Sequence, residues 1–301
     1  MITLHEIQTH FKALQSSICE GLELLDGVGE FQSDPWQMAS GGGGISRVIH
    51  GVHIEKGGVN FSAVSGPVSE KLKKLLQKEG DTFFATGVSI VLHPVNPLMP
   101  VIHMNVRYFE MADAWWFGGG IDLTPHYIDP EQARDFHRSL KAACDQSDPS
   151  YYAEFKQWAD DYFFVRHRDE TRGIGGIFFD RLDATRGKSK DELFQFVLNV
   201  GQSFLPIYQK LWHQNVHRSY TEQEKRWQML RRGRYAEFNL VWDRGTRFGL
   251  ETGGRTESIL MSLPPSCHWM YNYTPEPDSR EQMTLQLLKK GIDWINWSGG
   301  Q

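Results

Sequence analysis

Apolar and polar residues alternate from Pro100 to Phe109, and alternation with a period of two is typical of a β-strand. One face of the predicted strand carries His103, Asn105 and Arg107, whereas the opposite face is apolar. A face that offers an acid–base group, an amide and a fixed cation is suited to binding a carboxylate and to moving a proton beside it. The plain alternative is a solvated strand face with ordinary polar residues.

Similar patterns predict further strands along the chain. Neighbouring strands are joined by short links, which favour antiparallel pairing because parallel crossovers need roughly a dozen residues or more. The predicted strands are a hairpin over Val48–Val64, followed by Thr86–His93, Val101–Phe109, Trp115–Leu123, Gly175–Phe179, Tyr235–Trp242 and Glu257–Leu263.

Helical spacing of apolar residues predicts the remaining elements. Pro130 stands at a helix start position, and Thr221 with Glu224 matches a capping box. Strands recur without regular βαβ alternation, so we predict one α+β domain over residues 1–301, with a large, mostly antiparallel sheet flanked on both faces by α-helices. The predicted helices are residues 1–27, about Val68–Lys78, two within Asp129–His167, Asp191–Trp212, one that begins at Thr221, and Ser279–Trp294.

Composition narrows the function classes. The chain has 301 residues, of which 40% are hydrophobic, enough for a substantial core. A net charge of -5 argues against nucleic acid or an anionic membrane as the main partner. The cysteines are few and far apart, which favours free thiols. The first helix mixes charged with apolar residues and no apolar run approaches a bilayer span, so we expect a soluble, cytoplasmic protein without membrane insertion.

Glycine clusters at Gly41–Gly44, Gly118–Gly120 and Gly253–Gly254 invite comparison with phosphate-binding loops. None of them fits the spacing of a known nucleotide-binding loop, so nucleotide binding is not expected. Glycine instead permits close approach of a backbone to a flat ligand. The amides of Gly253 and Gly254 beside Arg255 predict a carboxylate cradle, with a plain turn as the alternative.

Twelve histidines raise the question of a metal site. The spacing between them is nowhere tight, and His137 and His167 fall on predicted helices, where a hydrogen-bonded structural histidine is the commoner explanation. The best-placed candidate ligands are His93, His103, His137 and His167.

An acidic residue and a basic residue are adjacent at Asp243-Arg244, at the end of a predicted strand. The functional interpretation is that Asp243 accepts hydrogen bonds from N–H groups of a ligand while Arg244 or Arg247 meets an anion; the alternative is a turn with a surface ion pair. Asp122 is a second candidate acceptor. Arg172 adds a further arginine at a strand boundary, and several converging arginines would imply several ligand carboxylates.

Four segments resemble the oxygen-dependent coproporphyrinogen III oxidase family, and the match runs from Gly41 to the last helix. The resemblance implies a homodimer with a large antiparallel sheet between two helical layers. It also implies oxidative decarboxylation of two propionates of coproporphyrinogen III to vinyl groups, which consumes O₂ and gives protoporphyrinogen IX in haem biosynthesis. The segments are HPVNPLMPVIHMNVRYF, WWFGGGIDLTPHY, RGIGGIFFDRL and RRGRYAEFNLVWDRGTRFGLETGGRTESILMSLPP.

The resemblance also assigns roles to residues. His103 matches the proton donor of the family, Asp243 and Arg244 match a pair at the tetrapyrrole, and the region from Tyr235 to His268 matches the part associated with dimerisation. It implies that neither a metal nor an organic cofactor is required, although the four histidines named above are metal ligands in some bacterial members. The substrate-binding segments correspond to Ser89, Asn105, Val106, Arg107, Gly253, Gly254 and Arg255.

We therefore expect Asp243 to hold the pyrrole nitrogens, the arginines to fix the propionates and His103 to manage a proton. Two alternatives are a mononuclear metal oxygenase built on His93 and His103, and a tetrapyrrole carrier without catalytic activity.

Overall fold

A seven-stranded antiparallel sheet organises the protein, with strand order β1-β2-β3-β4-β5-β6-β9. The structure is a computed structural model and describes residues 1–39, 41–68, 73, 80–112, 114–251 and 253–298, so the helix predicted at about Val68–Lys78 lies almost wholly outside the described residues. A separate two-stranded sheet pairs β7 with β8. The strands are β1 Gln32–Gln37, β2 Gly42–Ile49, β3 Ile54–Pro67, β4 Thr82–Pro94, β5 Val101–Met111, β6 Ala114–Thr124, β7 Phe164–Val165, β8 Glu170–Thr171 and β9 Gly176–Leu182.

Eight α-helices occur in the described residues, and they cover both faces of the large sheet. α1 and α4 pack on its apolar face, and α2 packs on α4. A short 3₁₀ helix, Ala184–Arg186, precedes α4. No helix in the described part of the chain is long and apolar enough to cross a membrane. The helices are α1 Leu4–Asp26, α2 Pro130–Asp145, α3 Tyr151–Tyr162, α4 Lys190–Asn215, α5 Glu222–Val241, α6 Arg244–Glu251, α7 Thr256–Leu260 and α8 Arg280–Leu287.

The α+β prediction and the central strands are confirmed. β4, β5 and β6 contain the predicted segments and pair antiparallel with each other. The alternation in β5 also divides as expected, because Ile102, Met104, Val106 and Tyr108 are fully buried in the core while His103 and Arg107 keep partial exposure. Phe194, Val197, Val200, Phe204 and Leu211 of α4 form part of the same core.

The two strands predicted late in the chain are wrong. Tyr235–Trp242 belongs mainly to helix α5, which begins with the capping box of Thr221 and Glu224 and continues to Val241. Tyr235 and Phe238, three positions apart, are buried, whereas Leu240 and Val241 are exposed, which is helical spacing. A short run of apolar and aromatic residues does not by itself distinguish a strand from a buried helix.

The other late prediction, Glu257–Leu263, is largely helix α7. The last helix is shorter than predicted and ends at Leu287. His167 does not lie on a helix: α3 ends at Tyr162, and His167 follows β7 in the loop that leads to β8.

Candidate active site

Polar side chains lie in transverse rows on one face of the sheet, which we call the polar face. Residues directly opposite each other on neighbouring antiparallel strands point to the same side. Opposite pairing places His103 beside Asp122 and Asn105 beside Ser89, with Arg107 two residues further along β5. The predicted residues Ser89, His103, Asn105 and Arg107 therefore share this face. The central row consists of Ser46, Asn60, Ser89, Asn105, Gly120 and Phe178.

His103 is bonded to a buried ion pair. Its Nδ1 atom lies 2.8 Å from Oδ1 of Asp122, and Arg172 Nη2 donates to both carboxylate oxygens at 2.8 and 2.7 Å. Burial tends to raise the pKa of Asp122, but the Arg172 guanidinium and the His103 bond outweigh it and lower that pKa. Asp122 is therefore ionised at neutral pH, and an ionised acceptor favours a proton on His103 Nδ1.

Three aromatic rings enclose the Arg172 guanidinium. Its Cζ atom lies 4.2 Å from the ring centre of Phe163, 4.7 Å from that of Phe238 and 4.9 Å from that of Tyr235. Cation–π contacts of this kind stabilise a guanidinium that has lost its water. Arg172 is only 3% exposed, so the structure places it and Asp122 behind His103, with the aromatic rings around the arginine.

Arg107 is held in the plane of the polar face by two acceptors. Its Nη2 donates to Asp180 Oδ1 and its Nη1 donates to Asn105 Oδ1, both at 2.9 Å. About a third of the arginine side chain, 36%, remains exposed. A Cβ atom at Gly118, opposite Arg107 on β6, would lie 2.6 Å from Asp180 Oδ1 and 2.8 Å from Arg107 Nε. Glycine is thus required here for the arginine to lie flat across the neighbouring strand.

Asp243 joins helices α5 and α6. Its Oδ2 accepts hydrogen bonds from the Thr246 amide and hydroxyl, each at 2.7 Å, while its Oδ1 accepts from the Tyr162 hydroxyl at 2.8 Å. The Tyr162 ring stacks at 4.1 Å on Phe178 of the central row. Asp243 thus caps a helix and, through Tyr162, lies next to the β9 edge of the polar face.

Arg244 is exposed at the start of α6. Its amide donates to the Tyr162 hydroxyl at 3.2 Å, and its guanidinium carbon lies 5.9 Å from the centre of the Tyr162 ring. The side chain is therefore next to Asp243 and near the solvent.

Arg255 borders the polar face from the opposite side. It forms an ion pair with Asp34 of β1, and its Nη1 atom lies 3.4 Å from the Ser46 hydroxyl in the central row. Ser46 and Asn105 are three strands apart in that row, a distance of roughly 14 Å at the usual strand spacing. A flat ligand about as broad as a tetrapyrrole would therefore have Arg107 near one edge and Arg255 near the other.

Segment 253–262 covers part of the polar face. Gly253 has a φ of +75°, a left-handed conformation that favours glycine, and it precedes Arg255. The Ser258 hydroxyl lies 2.7 Å from the Ser46 hydroxyl, and Asn60 Nδ2 donates to the Ser258 carbonyl at 2.8 Å. These bonds fix the position of Gly253, Gly254 and Arg255 relative to the sheet.

The chain is similar to known proteins over most of its length. The family model described as coproporphyrinogen III oxidase matches residues 6–294. The chain belongs to the coproporphyrinogen III oxidase family. It is 46% identical to the oxygen-dependent coproporphyrinogen-III oxidase of Prochlorococcus marinus (strain MIT 9312), over 94% of this chain and 90% of that protein. It is 48% identical to the enzyme of the same name from Parasynechococcus marenigrum (strain WH8102), over 94% and 85% of the two chains. The mitochondrial human protein of that name is 49% identical over 93% of this chain and 65% of its own length.

In this family member the four histidines predicted as metal ligands are separated and have their own bonds. His93 is buried and its Nε2 lies 2.9 Å from the Ser262 carbonyl; His137 contacts the Tyr152 hydroxyl and the Ile174 carbonyl, each at 3.0 Å. His167 contacts Glu237. Burial lowers the pKa of His93 and of His137 to about 3. Within the described residues no group of three or more His, Cys, Asp or Glu side chains could hold a metal ion, so the predicted ligand set is not assembled.

Val106 differs from its neighbours in the predicted substrate-binding segment. Its side chain is fully buried on the apolar face, so only its main chain is near the polar face. This position agrees with the alternation of β5. The family resemblance concerns the segment Asn105–Arg107 as a whole and not each of its side chains.

Three residues at the site were missed by sequence reasoning. Asp180 accepts a hydrogen bond from Arg107, and the Tyr162 hydroxyl donates one to Asp243. Asn239 accepts a hydrogen bond from Arg172 Nη1 at 2.9 Å. Asn239 lies four residues before Asp243, but this spacing could indicate a shared site only if the segment had been recognised as a helix.

Proposed function

We propose that this chain catalyses the oxygen-dependent oxidative decarboxylation of coproporphyrinogen III, converting two propionates to vinyl groups and giving protoporphyrinogen IX in haem biosynthesis. The names of its relatives support the reaction. The observation that carries the proposal is the presence of His103, hydrogen-bonded to an ionised carboxylate, four residues from Arg107 on the same sheet face. This face offers both a group that can move a proton and a cation that can hold a propionate.

In the proposed complex the arginines bind propionates at opposite edges of the macrocycle. Arg107 and Arg255 are each paired with one aspartate and keep partial exposure, so they can accept a carboxylate as a second partner. Arg244 is exposed next to Asp243 and is a third candidate for contact with a propionate. The four carboxylates of the substrate make several guanidinium contacts chemically reasonable.

Asp243 is proposed to accept a hydrogen bond from a pyrrole N–H group. A carboxylate has about four lone-pair positions. Three are occupied by Tyr162 and by the two groups of Thr246, which leaves one for a ligand. Ser89 and Asn105, half-buried in the central row, offer further polar contacts with the macrocycle.

Each decarboxylation removes CO₂ and one hydrogen from a propionate side chain and is a two-electron oxidation. If O₂ takes both electrons and two protons, it leaves as H₂O₂, and the propionate becomes a vinyl group. An electron-rich pyrrole can react with O₂ directly once deprotonated, so we propose that neither a metal nor an organic cofactor is required. His103 then moves a proton at its Nε2 atom while the surrounding side chains orient the ring.

The decisive experiment is an aerobic assay of purified, metal-analysed protein with coproporphyrinogen III, in which O₂ uptake, CO₂ release and product are measured together. We expect one O₂ and one CO₂ per vinyl group, with no dependence on added metal or on chelator. Binding of the substrate without O₂ uptake would indicate a carrier. Loss of turnover on chelation, restored by one metal, would indicate a metal oxygenase.

The proposal includes a homodimer. Large apolar side chains are exposed at the end of α5 and in α6, within the region from Tyr235 to His268 that the family resemblance associates with dimerisation, and in the three residues that follow this region. Exposed apolar groups in such number are typical of a protein interface. Sedimentation of the intact protein tests this: we expect a dimer, and a monomer for Leu240→Glu combined with Trp269→Glu. The exposed groups are Leu240, Val241, Phe248, Leu250, Trp269, Met270 and Tyr271.

We also propose that the chain works as one domain in the cytoplasm. Cys19, Cys144 and Cys267 are all free thiols, which suits a reducing compartment.

A further inference from the structure

A continuous series of hydrogen bonds runs from His103 into the protein interior. His103 Nδ1 is hydrogen-bonded to the Asp122 carboxylate, which accepts a hydrogen bond from Arg172 Nη2. Arg172 Nη1 in turn donates to Asn239 Oδ1. Asp122, Arg172 and Asn239 are all at least 96% buried, with exposures of 2%, 3% and 4%. The series therefore begins at the polar face and ends on helix α5.

Asn239 is the residue that fixes the rotation of the guanidinium. The rings around Arg172 contact its flat faces and limit its tilt, but they do not determine which edge points to Asp122. Asn239 accepts a hydrogen bond from Nη1 of Arg172, which directs Nη2 to the Asp122 carboxylate. The asparagine itself is oriented by its own donor, because Nδ2 lies 3.4 Å from the Ser262 hydroxyl and leaves Oδ1 toward Arg172.

The position of the carboxylate determines which nitrogen of His103 carries the proton. An ionised acceptor beside Nδ1 stabilises the neutral imidazole with a proton on Nδ1, which leaves Nε2 free to take a proton. If the carboxylate rotates, this preference weakens and the fraction of histidine ready to act falls.

We propose that Asn239 is a positioning residue that, through Arg172 and Asp122, holds His103 with its proton on Nδ1 and its Nε2 presented to the polar face. The inference rests on the proposed function for the use of that nitrogen in turnover. The arrangement of the proton on the imidazole, however, is a property of the free protein and is measurable without substrate.

The experiment uses full-length protein labelled with ¹⁵N-histidine, in which the ring signals of His103 are assigned from their loss in His103→Gln. We expect the neutral imidazole of wild type to carry its proton on Nδ1 and none on Nε2. In Asn239→Leu, we expect the two nitrogen shifts to move toward each other. The kcat should fall roughly tenfold, with KM changed less than about twofold, because orientation and not binding is lost.

Gln228→Met is the matched control. Gln228 is also fully buried on α5 and donates one hydrogen bond, to the Pro94 carbonyl at 3.0 Å, but it has no bond to the His103 series. It should leave the His103 ring signals and kcat unchanged. An equal loss of kcat in both variants would assign the effect to the stability of α5 and overturn the proposal.

A second variant covers the possibility that Asn239→Leu does not fold. Asn239→Asp keeps the shape of the side chain and supplies a carboxylate that competes with Asp122 for Arg172, so we expect the His103 signals to shift in the same direction. Unchanged His103 signals in a folded Asn239 variant overturn the proposal, whatever its activity. If the wild-type protein shows no turnover but the His103 signals still shift in an Asn239 variant, the positioning role is supported and only the proposed function is rejected.

Discussion

His103 and Asp122 stand directly opposite each other on β5 and β6, and their side chains meet at 2.8 Å on the polar face. The backbone pairing of the two strands brings these groups together, so the contact does not depend on a flexible loop. Arg172 then supplies the charge that keeps the carboxylate ionised although it is buried. The histidine proposed to move a proton is thereby attached to a strand that is paired on both sides within the sheet.

Removing the charge of Asp122 should damage both stability and turnover. Asp122→Asn leaves the Arg172 guanidinium buried without its counter-charge, which typically costs about 3–5 kcal/mol of unfolding free energy. We expect this loss in urea titrations and a fall in kcat of about a hundredfold or more, as His103 loses its ionised partner.

Asp161→Asn is the control for that substitution. Asp161 pairs with Lys290 at 2.9 Å, but its side chain is 54% exposed. Surface pairs of this kind contribute less than about 1 kcal/mol. If the two variants were equally stable, the buried pair would not have the structural importance assigned to it.

The sequence predicted which residues of β5 lie on the polar face but not what lies behind them. The alternation in β5 placed His103, Asn105 and Arg107 together because strand geometry has a strict period of two. The partners of Asp122 could not be predicted in this way, since Arg172 is 50 residues away along the chain and its bond depends on how a loop packs against α5. The error over Tyr235–Trp242 has the same cause, because Tyr235 is buried by packing on Val91 and Val101 of the sheet.

Arg107 should matter chiefly for substrate binding. Arg107→Lys keeps the charge but cannot bond Asn105, Asp180 and a propionate in the planar geometry of a guanidinium. We expect KM for coproporphyrinogen III to rise about tenfold, with a smaller change in kcat. The matched control is Arg186→Lys, which alters a bidentate pair with Glu154 that includes neither Arg107 nor its partners and should leave KM unchanged. A normal KM for Arg107→Lys would remove Arg107 from the binding site.

Gly118→Ala tests the flat position of the Arg107 side chain. The added Cβ would overlap Asp180 Oδ1 and Arg107 Nε, so the ion pair must shift. We expect KM to rise as in Arg107→Lys, while the far-ultraviolet circular dichroism stays that of wild type. A variant with unchanged KM would show that the arginine can move without affecting the substrate.

Buried neutral histidines should make the protein sensitive to acid. The pKa of His137 is about 3 in the folded protein because of burial, against an ordinary value of 6.5. Between these values the unfolded chain binds a proton that the folded chain does not, so stability falls as pH decreases. One such histidine accounts for up to about 2 kcal/mol between pH 7 and pH 5.

The variant His137→Gln should reduce this pH dependence. The introduced amide can donate to the Ile174 carbonyl and accept from Tyr152, which preserves both bonds of the ring. The free energies of unfolding from urea titrations at pH 7 and pH 5 should differ less for this variant than for wild type. Substitution of the exposed His5 is the control and should leave this difference unchanged. An undiminished pH dependence would mean that His137 is not neutral in the folded protein.

Asp34 should compete with the substrate for Arg255. The Arg255 guanidinium is paired with Asp34, whose side chain is 57% exposed, so a propionate must share or displace this partner. Asp34→Asn removes the competing charge, and because an exposed pair contributes up to about 1 kcal/mol, we expect KM to fall by about two- to fivefold. Arg255→Gln should raise KM, and in that background Asp34→Asn should have no further effect. Steady-state kinetics of the two single variants and the double variant measure this coupling. If KM does not fall in Asp34→Asn although it rises in Arg255→Gln, the Arg255 guanidinium binds the Asp34 carboxylate and the propionate at the same time, and the two do not compete.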